Sequence, residues 1–233
     1  MYKRKDVYEK IKNVLEKTLY ISEKKFLDAL NIRGIFHDYS VVNRLMIHDQ
    51  FENATVVASF NTWKKLNRHI IKGQKGISIF VPVLKSIEIV DENTGETIKK
   101  SILRGFNIGH VFDVSQTEGE PLKLFGEYDR SHLINIISPY LKSDGSFDEA
   151  MYKYLRSVAR VKFKNEHNIV IDSAIYMAAN DYNIDVSKYI KKFALASTEE
   201  KDFNGILKLL SKITNVYRDL SRILDTRLNI ASA

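Results

Sequence analysis

Apolar residues recur at helical spacing from the start of the chain. In YEKIKNVLEKTLY, Tyr8, Ile11, Val14 or Leu15 and Leu19 share one face, and residues 2–30 read as helical. Ser22 is placed to cap a second helix carrying Phe26, Leu27 and Leu30, and Asn31–Gly34 breaks it. Ser40 precedes VVNRLMIHDQ, whose Val41, Val42, Leu45 and Met46 suit a third helix. The pattern then shortens. ATVVASF reads as a strand, and NTWKKL as a short helix capped by Asn61 or Thr62, with Asn67 as its left-handed end. RHII and ISIFVPV flank KGQKG and predict a hairpin; SIEIV and ETIKKSIL flank DENTG and predict another. FNIGHVFDV closes the sheet, and Pro82 is expected at a strand edge or bulge.

After SQTEGEP the strand pattern stops, and from Asp129 the periodicity is helical almost to the end. Ser146 with Glu149, and Ser197 with Glu200, have capping-box spacing. The last helix repeats Phe203, Ile206, Leu210, Ile213, Tyr217, Leu220 and Leu224 at alternating steps of three and four. That seam suits docking on neighbouring helices of the same chain, and it leaves self-association open. The expected class is α+β: N-terminal helices packed on a small, mainly antiparallel sheet, followed by an all-α C-terminal region. Residues 1–122 read as one domain and 128–233 as a helical one, with the boundary near Gly119–Gly126.

The chain has 233 residues, 44% of them hydrophobic, which supports a real core. It has no cysteine, which removes disulfides, thiolate metal sites and cysteine nucleophiles. The opening MYKRKDVYEK is not followed by an apolar stretch, so no signal peptide is expected. No apolar run approaches the roughly 20 residues that span a bilayer. These features predict a soluble, cytoplasmic protein without membrane contact. The net charge of +7 admits a polyanion as partner, or simple solubility charge.

The charge is not spread evenly. Nothing acidic lies between Glu52 and Glu88, and within that span TWKKLNRHIIKGQKG gathers Lys64, Lys65, Arg68, Lys72 and Lys75 around Trp63, the only tryptophan. Cations that track phosphates beside an aromatic face make a platform for single-stranded nucleic acid. The same residues also suit a solvated surface over a core tryptophan. Trp63 and Leu66, three apart on a helix, favour the core position for the indole.

Histidines at 37, 48, 69, 110, 132 and 167 show no metal-ligand spacing, so no metal or other cofactor is expected. His48 and Asp49 are adjacent and point apart on a helix. No nucleophile elbow, phosphate loop or dinucleotide fingerprint is present. Twelve tyrosines raise a nicking enzyme, but its usual metal-binding histidines are missing. No catalytic residue is assigned, and the chain reads as a non-enzyme.

The segment YSVVNRLMIHDQFENATVVASFNTWKKLNRHIIKGQKGISIFVPV, followed by GFNIGHVFDVSQTEG, resembles the N-terminal domain of ArdC-type antirestriction proteins. The shared residues are Tyr39, Ser40, Asn43 and Gln50, then Thr62, Trp63, Lys72, Gly73, Lys75, Gly76 and Ile77, then Val111 to Thr117 and Gly119. They cover roughly residues 35–120; Asn67 stands where relatives often have glycine. The resemblance implies binding of single-stranded DNA, by a protein of a plasmid, conjugative element or phage, in antirestriction or protection of incoming DNA. Together with the charge pattern, the candidate contact residues are Lys64, Lys65, Arg68, Lys72, Lys75, Arg44, Tyr39 and Trp63.

In such proteins the following domain often resembles a zinc-dependent protease. Here RSVARVKF is similar to a degenerate form of its first metal-binding helix. Arg156 and Arg160 fall at the two histidines, Ser157 at the glutamate, and Asp172 near the third ligand. Cations do not bind zinc, and serine is no general base for its water. This loss suggests an alternative function: a pseudo-enzyme scaffold or inhibitor that binds a host defence protein.

Overall fold

A computed structural model of the chain describes residues 4–19, 23–34, 39–90, 97–122, 130–190 and 203–228. Two helices, α1 (Arg4–Leu19) and α2 (Glu23–Leu30), precede a two-residue strand, β1 (Arg33–Gly34). Helix α3 (Val41–Gln50) starts at Ser40, whose Oγ accepts from the Asn43 N–H as the sequence predicts. Strand β2 (Val56–Ser59) then leads into a single-turn helix, α4 (Phe60–Lys65). Its cap is Ser59 rather than Asn61 or Thr62, because the Ser59 Oγ reaches the Thr62 N–H at 3.2 Å.

The architecture is α+β, as expected. Strands β4 (Ile77–Val90) and β5 (Thr97–Asp113) form the long antiparallel hairpin; its turn, DENTG, lies outside the described residues. The strand order is β1-β2-β5-β4, with only the β1–β2 pair parallel. Pro82 sits on the edge strand β4, next to a register shift between Val83 and Leu84, so its missing N–H costs no ladder bond.

The first predicted hairpin does not form. Strand β3 (Arg68–Ile70) pairs instead with β6 (Thr117–Gly119). The guanidinium of Arg68 donates to the carbonyls of Thr117 and Gly119, and to the Thr117 hydroxyl at 2.8 Å. Gly119 has φ +136°, and a β-carbon there would lie 2.4 Å from the Asn67 carbonyl, so only glycine allows β3 and β6 this close. Asn67 takes the expected left-handed conformation, φ 55°.

The rest is helical: α5 (Arg130–Ile137), α6 (Phe147–Lys162), α7 (Asn168–Asp181) and α8 (Phe203–Arg227). Ser146 caps α6 as predicted; Ser22, Ser197 and Glu200 lie outside the described residues. Helix α7 is buried without a break from Val170 to Ala179, so it takes the centre of the helical layer. The α8 seam from Ile206 to Leu224 is buried against the chain's own helices, chiefly α7 and α3. The largest core cluster runs from Val14 in α1 to Leu224 in α8, so the N-terminal helices and the C-terminal helices share one apolar interior. No helix among the described residues is long and apolar enough to cross a membrane.

Candidate nucleic-acid interface

The basic stretch is held by a separate, smaller cluster. Val56, Ala58 and Trp63 form its centre, with Leu66, Ile70, Phe112 and Val114 around them. Trp63 is 0% exposed, and its Nε1 donates to the Phe112 carbonyl at 2.9 Å. An indole buried on both faces offers nothing for a base to stack on. Trp63 as a contact residue is therefore corrected to Trp63 as the anchor that fixes α4 on β5.

Two further predicted contact residues are buried. Arg44 is 0% exposed; its guanidinium donates to the carbonyls of Leu30 at 2.7 Å and Tyr39 at 3.2 Å and lies over the Tyr217 ring. It belongs to the inner face of α3, where it ties α2, α3 and α8 together. Tyr39 is also buried, and loss of water pushes its phenol up to about 12. Arg68 is half-buried and occupied by the β6 backbone. Arg44 and Tyr39 are thus no part of an exposed surface, whereas Arg68 reaches it in part.

Four predicted cations do. Lys64 and Lys65 on α4, and Lys72 and Lys75 on the loop from Ile71 to Gly76, are exposed. None of them forms an ion pair among the described residues. The loop is fixed from below. Gly73 supplies φ +92°, and Gln116 donates its amide to the Lys75 carbonyl at 2.9 Å and to Gln74 Oε1 at 3.1 Å. Gln116 is in turn held by a capping box with Asp113, whose carboxylate also accepts from the N–H groups of Thr55, Val56 and Ser115. The segment Asp113–Thr117 thus positions the lysines without touching solvent-side charge. Exposed ammonium groups without an ion-pair partner are open to an anion.

The residue that sequence reasoning missed is Phe60. It is 55% exposed at the first position of α4. With Ser59 as the cap, Phe60 and Lys64 lie four apart on one helical face, and the lysine marks that face as solvated. The aromatic beside the cations is Phe60, not Trp63.

The positions resembling zinc ligands converge without being able to hold zinc. Arg156 on α6 and Asp172 on α7 form an ion pair, and Arg156 also donates to Tyr152 at 2.7 Å and Asn168 at 3.1 Å. Arg160 is exposed. Guanidinium groups have no lone pair for a metal. The described residues contain no cluster of three or more His, Asp or Glu that could hold one. The residues do not fit the ion.

Residues 6–112 match the model of the N-terminal domain of anti-restriction factor ArdC. An uncharacterised protein of Bacillus anthracis is 32% identical over 88 residues; the match covers 35% of this chain and 15% of that relative's length. Among solved structures, the metal-free antirestriction ArdC protein from plasmid R388 is similar at 15% identity and TM-score 0.46, covering 94% of this chain and 98% of that one. Its Mn(II)-bound form gives 13% identity and TM-score 0.40, over 91% and 96%. Over residues 6–112, the chain is thus similar to the N-terminal domain of anti-restriction factor ArdC.

Proposed function

We propose that this protein binds single-stranded DNA without catalysing a reaction on it, in an antirestriction role on behalf of a plasmid or other mobile element. The observation that carries the reading is the exposed face of Phe60, Lys64, Lys65, Lys72 and Lys75 within an acid-free span of sequence. Solvated lysines release counterions when they meet phosphate, and an exposed ring stacks on any base, so such a face binds strands with little sequence preference. No helix is presented for reading the major groove on this face, since α4 is a single turn. The antirestriction role is taken from the family match; the solvated face supplies its physical means.

The experiment is a fluorescence-polarisation titration with single-stranded and duplex oligonucleotides of equal length across a salt series. The single strand binds more tightly. In Lys72→Ala and Lys75→Ala, the slope of log affinity against log salt flattens by roughly 0.7 for each phosphate that is no longer neutralised. Phe60→Ala weakens binding by about 1–3 kcal/mol and leaves the fold intact, since its ring is largely in water. Equal or tighter duplex binding rejects the reading.

A further inference from the structure

Helix α8 uses two stripes. One is the buried seam. The other, Asn204, Leu207, Ser211, Asn215 and Arg218, steps by three and four along a neighbouring face and lines a cleft of about 920 Å³. The opposite wall comes from the β4–β5 hairpin, with Val81, Pro82, Leu103 and Phe106, and its end from Tyr39 and Ser40. The cleft is at the upper end of the size range of small-ligand sites.

We propose that this cleft receives bases of the single strand, and that α8, which lies outside the matched domain, forms one wall of the DNA site. The proposal rests on the single-stranded DNA reading above and adds a location and a second element to it. Three observations support it. Acidic residues make up 29 of 233 positions, yet among the described residues none lines the cleft. A lining without carboxylates does not repel a polyanion.

The walls also differ in the way a nucleotide does. Leu103, at 54% exposure, Val81, at 40%, and Phe106 offer apolar surface for base faces. From the α8 side, the exposed Ser211 and Asn215 offer a hydroxyl and an amide for base edges.

Finally, residues of the cleft neighbour the basic face. Ser59 lines it and is followed by Phe60. His110 also lines it, and a β-carbon on Gly76, at the end of the lysine loop, would lie 3.1 Å from His110 Cβ. The lysine loop and the cleft thus meet at His110.

The test uses the whole chain and a fluorescein-labelled oligothymidine. Ser211 is exposed and its hydroxyl forms no hydrogen bond among the described residues, so Ser211→Trp fills the cleft from the α8 side without disturbing the buried seam. Affinity falls by about tenfold or more, the equivalent of one lost base stack, with an unchanged melting temperature. In parallel, 4-thiothymidine in the oligonucleotide is photo-crosslinked to the unsubstituted protein and the adducts are mapped by mass spectrometry. Adducts on Phe106 or His110 support the cleft, even if Ser211→Trp fails to fold. Wild-type affinity in a folded Ser211→Trp, or adducts confined to residues 60–76, overturns the cleft and leaves the DNA reading standing. If the unsubstituted protein retains no oligonucleotide, both fall together.

Discussion

The indole N–H of Trp63 donates to the Phe112 carbonyl at 2.9 Å, across 49 residues of sequence. This bond joins α4, which carries Phe60 and two lysines, to the end of β5, from which the Asp113–Gln116 capping box fixes the lysine loop. One buried ring thereby sets the relative position of both halves of the basic face. Trp63→Ala is expected to cost about 3–5 kcal/mol of stability, as for other aromatic truncations in a core. Trp63→Phe keeps most of the volume and leaves the Phe112 carbonyl without its donor, for about 1–3 kcal/mol. The indole emission of the free protein is expected to be blue and hardly changed by DNA. Red emission quenched by an oligonucleotide contradicts the buried position.

Asn43 and Gln50 on α3 perform a task that only a side-chain amide can. Asn43 donates to the Phe80 carbonyl and accepts from the Phe80 N–H, both at 2.9 Å. Gln50 does the same at Ser78, at 2.9 and 3.0 Å. Strand β4 is an edge, and its outward backbone groups recur every second residue, so two amides two helical turns apart close it off. Asn43→Asp keeps the shape but cannot donate to the Phe80 carbonyl. It is expected to lower stability by about 1–3 kcal/mol in urea unfolding, and Gln50→Ala by less, because its bonds are exposed. Equal costs for the two would deny this difference in burial.

The Arg156–Asp172 pair bolts α6 to α7. The Asp172 side chain is 5% exposed and that of Arg156 19%. Burial pushes the Asp172 carboxyl up, more than the Arg156 guanidinium draws it down. Removing one partner of a buried pair costs about 3–5 kcal/mol, because the other charge is stranded. Arg156→Ala is therefore expected to destabilise most at neutral pH. As pH falls through the raised carboxyl pKa, Asp172 takes a proton and part of the loss returns. A deficit that does not shrink on acidification would show that the pair is not what Arg156 supplies.

Much of the fold is readable in the sequence, for physical reasons. Ser40 and Ser146 announce helices because a hydroxyl before an apolar period has few other uses. The α8 seam is regular enough that its burial follows from spacing. The β3–β6 pairing is not readable. KGQKG between two short apolar runs is a hairpin signal, and only contacts 49 residues away, from Arg68 to Thr117, overrule it. Local pattern carries no information on such a partner. The site divides the same way. Charge alone names the exposed lysines, and the spacing of Trp63 and Leu66 favours the core for the indole, whereas nothing local shows that the face of α3 turns Arg44 inward. Phe60 escapes notice because the only tryptophan draws the aromatic role to itself.

The buried tyrosines give the fold an alkaline limit. Tyr39 and Tyr176 are 6% and 7% exposed, and burial pushes both phenols up to about 12. An unfolded tyrosine ionises near 10. Between those values the folded state holds a proton that the unfolded state has released, so stability falls with rising pH. Below pH 10 both states are neutral at these sites and no loss appears. From about pH 10 to 12, each tyrosine is expected to remove up to about 1.4 kcal/mol per pH unit, or roughly 2–3 kcal/mol across the window. Tyr39→Phe and Tyr176→Phe remove the ionisable hydroxyl and keep the ring. Urea unfolding at stepped alkaline pH checks the point by difference from the unsubstituted chain, which cancels the titration of the lysines. Each variant should show a shallower decline above pH 10 and the same pH dependence below it. Parallel curves for all three proteins would mean that the phenols are not what fails first in base.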